Sequence, residues 1–192
     1  MEAHIQKANE LITLFQSQGN ALYFGEHVTQ LQHAIQCALI ASSEGSDAET
    51  ILAAFLHDIG HLHPDGALVE TMDQYGVADH EQLGAEYLRE MGFSEKVCTL
   101  VRSHVEAKRY LTFKFPEYYE NLSDASKQTL LYQGGKMTSK EAKKFELTPW
   151  KEECIQLRFW DEQAKSENSA DEDLTDIRNL MIEHLSTNAT KR

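Results

Sequence analysis

Apolar residues recur at three- and four-residue intervals along most of this chain, and no stretch alternates apolar with polar as a half-buried strand would. That period points to packed helices and an all-α fold. Residues 3–18 place Ile5, Ala8, Leu11, Ile12 and Phe15 on one face and stop at Gly19-Asn20. A second helix is expected from about 28 to 43, with Leu31, Ala34, Ile35, Ala38 and Leu39 on one side and Gly45 beyond its end. Asp47 can cap a third, whose Ile51, Leu52, Phe55, Leu56 and Ile59 lead to Gly60. Residues 62–78 read as irregular, with a Pro64-Asp65-Gly66 turn. Helical character resumes from about 79 to 91 and, opened by Ser94-Glu95, runs on through 105. Further helices fit 123–132, 138–145, 149–165 and 173–185, with Pro149 in a first helical turn and the polar run 165–173 as a loop.

Length and charge narrow the class. The chain has 192 residues, and neither a domain linker nor an internal repeat is visible, so one domain over 1–192 is expected. A net charge of -13 argues against a nucleic-acid surface, which is usually basic. It leaves room for a small anionic ligand, because bound metal ions reverse the local field. Cys37, Cys98 and Cys154 are odd in number, far apart and form no CxxC pair, which fits reduced thiols in the cytoplasm. No run approaches the ~18 apolar residues of a membrane span, and the opening MEAHIQKANE has no signal-peptide core. Nothing in the residues sets an oligomeric state.

The chemistry lies in the placement of the histidines. The tightest group is His57-Asp58-Ile59-Gly60-His61, following the apolar run ILAAFL and so emerging from a core helix. Neutral imidazole and carboxylate suit first-row metals such as iron, manganese or zinc. An adjacent His-Asp pair alone arises often by chance. His33 lies inside an apolar helix, His80 opens a later one, His104 sits near the end of another, and Asp161 shares a helix with Trp150, Leu157 and Trp160. Singly, each has a plainer reading as a satisfied buried histidine or a surface aspartate. As an ordered set, they favour a metal site.

His33, then His57-Asp58, then Asp161 resemble the H…HD…D signature of the HD-domain superfamily, over about residues 23–165. The resemblance implies an HD-domain helical bundle with a metal site in its centre. His80 and His104 match the extra ligands of the dinuclear branches. The set of six resembles the PhnZ-like HD-domain mixed-valent diiron oxygenases, the 2-amino-1-hydroxyethylphosphonate dioxygenase family, related to myo-inositol oxygenase. Tyr23-Phe24-Gly25-Glu26 is similar to that family's segment whose tyrosine and glutamate close over the metal site, and Glu26 suits a cationic amine. His61 and Lys108 lie four residues beyond His57 and His104, so both can face the site. Ser126, Thr129 and Gln133 form one helix face offering donors to phosphonate oxygens. Arg158 precedes Asp161 by three residues, placed to orient it or balance its charge. His63 matches no ligand position, and His4, His27 and His184 read as incidental.

The resemblance implies two iron ions, Fe(II)/Fe(III), bridged by Asp58. His33, His57 and Asp161 complete one iron, and His80 and His104 the other. Dioxygen is the implied co-substrate, and the implied reaction cleaves the C–P bond of 2-amino-1-hydroxyethylphosphonate to glycine and phosphate. The same chemistry on the N-trimethylated analogue, giving glycine betaine and phosphate, is an alternative. A metal-dependent phosphohydrolase acting on phosphate esters is a second alternative of another class, and a non-catalytic binding module a third.

Overall fold

The structure is a computed structural model that describes residues 2–23, 25–63, 70–167 and 173–190. Among the described residues it is all helical. The chain runs through α1 (Glu2–Gln18), α2 (Gln30–Ser43), α3 (Ala48–Leu56), α4 (His80–Met91), α5 (Glu95–Lys114), α6 (Pro116–Asn121), α7 (Asp124–Tyr132), α8 (Ser139–Phe145), α9 (Lys151–Gln163) and α10 (Thr175–Ala189). Single turns of 3-10 helix cover Ile59–His61 and Asp73–Tyr75. The expected Pro64-Asp65-Gly66 turn and Phe24 lie outside the described residues.

Local chemistry explains most boundaries. Thr29 and Gln32 form a reciprocal capping box at the start of α2. Asp47 caps α3, accepting from the Thr50 amide at 2.9 Å, as the sequence suggests. Ser94, Ser123 and Thr138 cap α5, α7 and α8 in the same way.

Three boundaries differ from expectation. α5 runs nine residues past 105, to Lys114, because Ala107, Lys108, Tyr110 and Leu111 continue its buried face. The polar run around Glu106 and Arg109 masks that continuation in the sequence. It stops where Phe115 precedes Pro116, which excludes the helical conformation, and Pro116 then opens α6. Pro149 is not in a first helical turn. It lies in a turn before α9, since Trp150 adopts a left-handed φ of 54° that no helix interior accommodates. The last helix continues to Ala189 because Met181 and Leu185 anchor it against the core.

α5 is the central element, packed against α3, α4 and α9, while α2 lies across α3 and α9. α1 and α10 pair on the outer side, and α10 also reaches α3. Phe55, Leu52, Leu100, Leu157 and Trp160 are fully buried where these helices meet, and Phe15 meets Phe55 at 4.4 Å between ring centres. The ends of α3 and α9, the start of α4 and the middle of α5 converge beside this core, and there the apolar packing gives way to histidine and aspartate.

One close approach makes the convergence possible. A Cβ on Gly60 would lie 2.0 Å from the His80 carbonyl oxygen, and Gly84 stands directly opposite, with the Gly60 amide 3.1 Å from where its own Cβ would be. The turn after His57-Asp58 therefore packs backbone to backbone on α4. Gly60→Ala is expected to cost about 3 kcal/mol, as for overpacking against an unyielding backbone. Gly45→Ala, whose Cβ meets nothing within 4 Å, should cost only the ~1–2 kcal/mol of its positive φ. Thermal unfolding of the two variants checks this, and equal losses would contradict it.

Candidate metal centre

All six residues expected as ligands meet at one place, and all but Asp58 are buried below one-tenth exposure. His33 comes from α2, His57 from the cap of α3, His80 from the first turn of α4, His104 from α5 and Asp161 from α9. Asp58 stands in the turn between α3 and the 3-10 turn that follows.

The ring orientation of the four histidines is set by the backbone. His33 Nδ1 lies 2.8 Å from the Ala164 carbonyl, His57 Nδ1 2.8 Å from Ala54, His80 Nδ1 3.2 Å from Val77, and His104 Nδ1 2.7 Å from Val101. A carbonyl only accepts, so each Nδ1 carries the proton and each Nε2 presents a lone pair inward. Those Nε2 atoms then face one another in pairs: His33 and His57 at 3.2 Å, His80 and His104 at 3.1 Å. Two lone pairs at that distance repel unless a proton or a metal ion stands between them.

The carboxylates complete the pattern. Asp58 Oδ2 is 3.3 Å from His57 Nε2 and 3.9 Å from His33 Nε2, while its Oδ1 is 3.3 Å from His80 Nε2 and 3.5 Å from His104 Nε2. One carboxylate thus serves two lobes. Asp161 Oδ1 joins the first, 3.4 Å from His33 Nε2. Asp58 Oδ2 and Asp161 Oδ1 are buried without a hydrogen-bond partner, the condition of acceptors meant for a metal. Burial alone would raise both carboxyls, yet His57 holds Asp58, and Arg158 holds Asp161, well below the carboxylate range. Burial likewise opposes a charge on His57, but Asp58 raises it to about 9, so without a metal a proton sits on its Nε2 and a bound ion takes that proton's place. The site attracts positive charge, and its nitrogen and oxygen donors fit first-row metals. Distance alone would let His61 join Asp58 and His80 around an ion. Its protonation argues otherwise: His61 Nδ1 accepts the Val77 amide at 3.1 Å, so Nε2 carries the proton and donates.

A cleft opens onto this cluster and is lined by every residue expected to bind substrate: Tyr23, Glu26, His61, Lys108, Ser126, Thr129 and Gln133. Tyr23 stacks on His33 with ring centres 4.0 Å apart, and His61 stacks on His80 at 3.9 Å. The longer α5 carries Lys108 into the cleft, where Nζ donates to Thr129 Oγ1 at 3.0 Å. Burial, and then the Arg158 charge, push that amine down to about 7. Gln133 Oε1 has no hydrogen-bond partner. Arg158 ion-pairs with Asp161 and with Glu162.

Some lining residues were not expected. Met72 and Tyr75 enter from the loop after 70, where no periodicity marks them. Glu26 is not free: its Oε1 accepts from Ser123 Oγ at 2.7 Å and pairs with Lys165 Nζ at 3.1 Å. Lys165 carries a weak signal, four residues past Asp161 on the same helical spacing, but a charged face is ordinarily solvated.

A family model described as the HD domain matches residues 31–156. The chain is 40% identical over 155 residues to the [1-hydroxy-2-(trimethylamino)ethyl]phosphonate dioxygenase (glycine-betaine-forming) of Leisingera caerulea, covering 79% of this chain and 76% of that one. It is 38% identical over 162 residues to the hydroxymethylphosphonate dioxygenase of Gimesia maris, covering 83% and 79%. An uncharacterized protein of Acanthamoeba polyphaga mimivirus is 44% identical over 186 residues, covering 97% and 85%. The chain belongs to the HD-domain family, within its PhnZ-like oxygenase branch.

Because Asp58 reaches both lobes, Asp58→Ala should lower the metal content of both. His80→Ala, which touches one lobe alone, should lower it less. Plasma emission analysis of the metal-loaded proteins checks this, and an Asp58→Ala protein that keeps the wild-type metal content would contradict it.

Proposed function

We propose that this chain is a diiron dioxygenase that cleaves the C–P bond of 2-amino-1-hydroxyethylphosphonate, giving glycine and phosphate. The observation that carries the reading is the shared Asp58 carboxylate, with a hydrogen-bonding cleft opening onto both lobes. The relatives named as phosphonate dioxygenases support the reaction class. His33, His57 and Asp161 would hold one iron, His80 and His104 the other, with Asp58 between them. When bound, an Fe(II)/Fe(III) pair supplies the redox chemistry with dioxygen that side chains lack.

The chain's own residues bind and orient. The phosphonate is met from three directions: by His61 Nε2, by Lys108, whose amine a neighbouring phosphonate dianion holds protonated, and by the Thr129 hydroxyl, which accepts from Lys108 and turns from the Ser126 carbonyl to donate. Ser126 and Gln133 extend the same wall. The phosphonate must recruit cationic partners locally, since the protein as a whole carries -13. Glu26 faces the substrate's amine end. Arg158 fixes Asp161 by ion pairing, and so keeps the Asp161 Oδ1 lone pairs turned inward. Tyr23 covers the His33 ring and keeps water from that side. One dioxygen is consumed for each phosphate released.

The N-trimethylated analogue, yielding glycine betaine, is a second reading favoured by the 40% identity to the Leisingera caerulea enzyme. We place the protein in the cytoplasm, in keeping with three buried thiols, and among the described residues no helix is long and apolar enough to cross a membrane.

Iron-loaded, partly reduced protein should take up dioxygen and release phosphate from 2-amino-1-hydroxyethylphosphonate one for one, measured by oxygen electrode and phosphate assay. Absence of turnover on either hydroxylated aminophosphonate, or phosphate-ester hydrolysis indifferent to oxygen, would contradict the proposal. Lys108→Ala should raise KM by about tenfold to a hundredfold, the loss of a charged hydrogen bond of ~1.5–3 kcal/mol, with a smaller change in kcat.

A further inference from the structure

Glu26 is the one carboxylate lining the cleft outside the six-residue cluster, among the described residues. It already has a cation. Lys165 Nζ lies 3.1 Å from Glu26 Oε1, and both side chains are mostly buried, 12% and 15% exposed. Such a pair is weakly screened by solvent, unlike one on the surface. Lys165 also reaches Glu162 Oε1 at 3.0 Å, Ser123 Oγ at 3.1 Å and Ser126 Oγ at 3.1 Å. Four oxygens therefore compete for three N–H donors, and Lys165 can lose Glu26 without being stranded.

A substrate ammonium and the Lys165 ammonium are the same chemistry aimed at one carboxylate. We propose that Lys165 sets how strongly this site selects a cationic substrate tail. It holds the place beside Glu26 that a substrate ammonium takes, and withdraws to Glu162 and Ser126 when one enters. This inference rests on the reading of the chain as a dioxygenase of 1-hydroxylated phosphonates.

The energetic consequence is a levelling of preferences. With Lys165 present, Glu26 is neutralised, so a phosphonate with no cationic tail leaves no buried charge unpaired. An ammonium-bearing substrate gains only the difference between its own contact and the one it displaces. Without Lys165, Glu26 is a mostly buried carboxylate that lacks a cation, and an uncharged tail leaves it so. Glu162 is less affected, because Arg158 pairs with it independently.

The test compares wild type, Lys165→Met, Lys165→Gln and Lys165→Arg, all iron-loaded and at one fixed pH. The probes are 2-amino-1-hydroxyethylphosphonate and hydroxymethylphosphonate, scored by kcat/KM, or by competitive Ki where a compound binds without turnover. Lys165→Met and Lys165→Gln should shift the ratio toward the aminated compound by about tenfold, a ~1.4 kcal/mol change in discrimination, chiefly through KM. Lys165→Arg should stay near wild type. Both compounds meet the same preparation, so partial loss of fold or metal cancels in the ratio. An unchanged or reversed ratio, with turnover retained, overturns this inference and leaves the dioxygenase reading standing. Wild-type protein that neither binds nor turns over either phosphonate overturns both.

Discussion

Four backbone carbonyls, those of Ala54, Val77, Val101 and Ala164, govern the centre of this protein. Each accepts the Nδ1 proton of one histidine, which leaves every Nε2 lone pair directed at a neighbour of the same kind. Such an arrangement is unfavourable by itself and becomes favourable around a cation. Stability is thereby coupled to metal loading, since an ion that binds only the folded chain shifts the folding equilibrium toward it. The helices that supply those carbonyls are in turn fixed by the buried contacts of α3, α4, α5 and α9, so the apolar core and the polar centre are two sides of one packing arrangement.

Asp58 gives the centre its division into two. Its two oxygens look in different directions because it stands in a turn, where backbone geometry places the carboxylate between the helix ends. Gly60 allows that turn to lie against α4, bringing His80 within 3.3 Å of Asp58. A longer side chain at Gly60 would separate the lobe of His80 and His104 from the lobe of His33, His57 and Asp161. The cleft wall follows the same logic: α5 continues past His104, so one helix contributes both a ring to the centre and an amine to the cleft.

Much of this was legible in the sequence because metal chemistry uses few residue types in a fixed chain order. His33, His57-Asp58, His80, His104 and Asp161 stand out against apolar helices, and the resemblance they carry also located His61, Lys108 and the Ser126–Thr129–Gln133 face. What was not legible depends on partners without a side-chain signature. The four carbonyls belong to Ala or Val residues whose side chains give no sign of that role. The ion pair between Glu26 and Lys165 spans most of the chain, and nothing local marks either residue as the other's partner. The length of α5 was hidden because the polar Glu106 and Arg109 interrupt its apolar stripe, while tertiary packing buries Lys108 all the same. Trp150 was read as part of a helix because propensity does not reveal a left-handed backbone.

The central proposal is that one carboxylate joins two metal ions. Anomalous diffraction at the iron absorption edge, from crystals of the iron-loaded protein, tests it most directly. Two anomalous peaks are predicted, one beside Asp58 Oδ2 with His33, His57 and Asp161, and one beside Oδ1 with His80 and His104. A single peak, or a second one remote from Asp58, would contradict it.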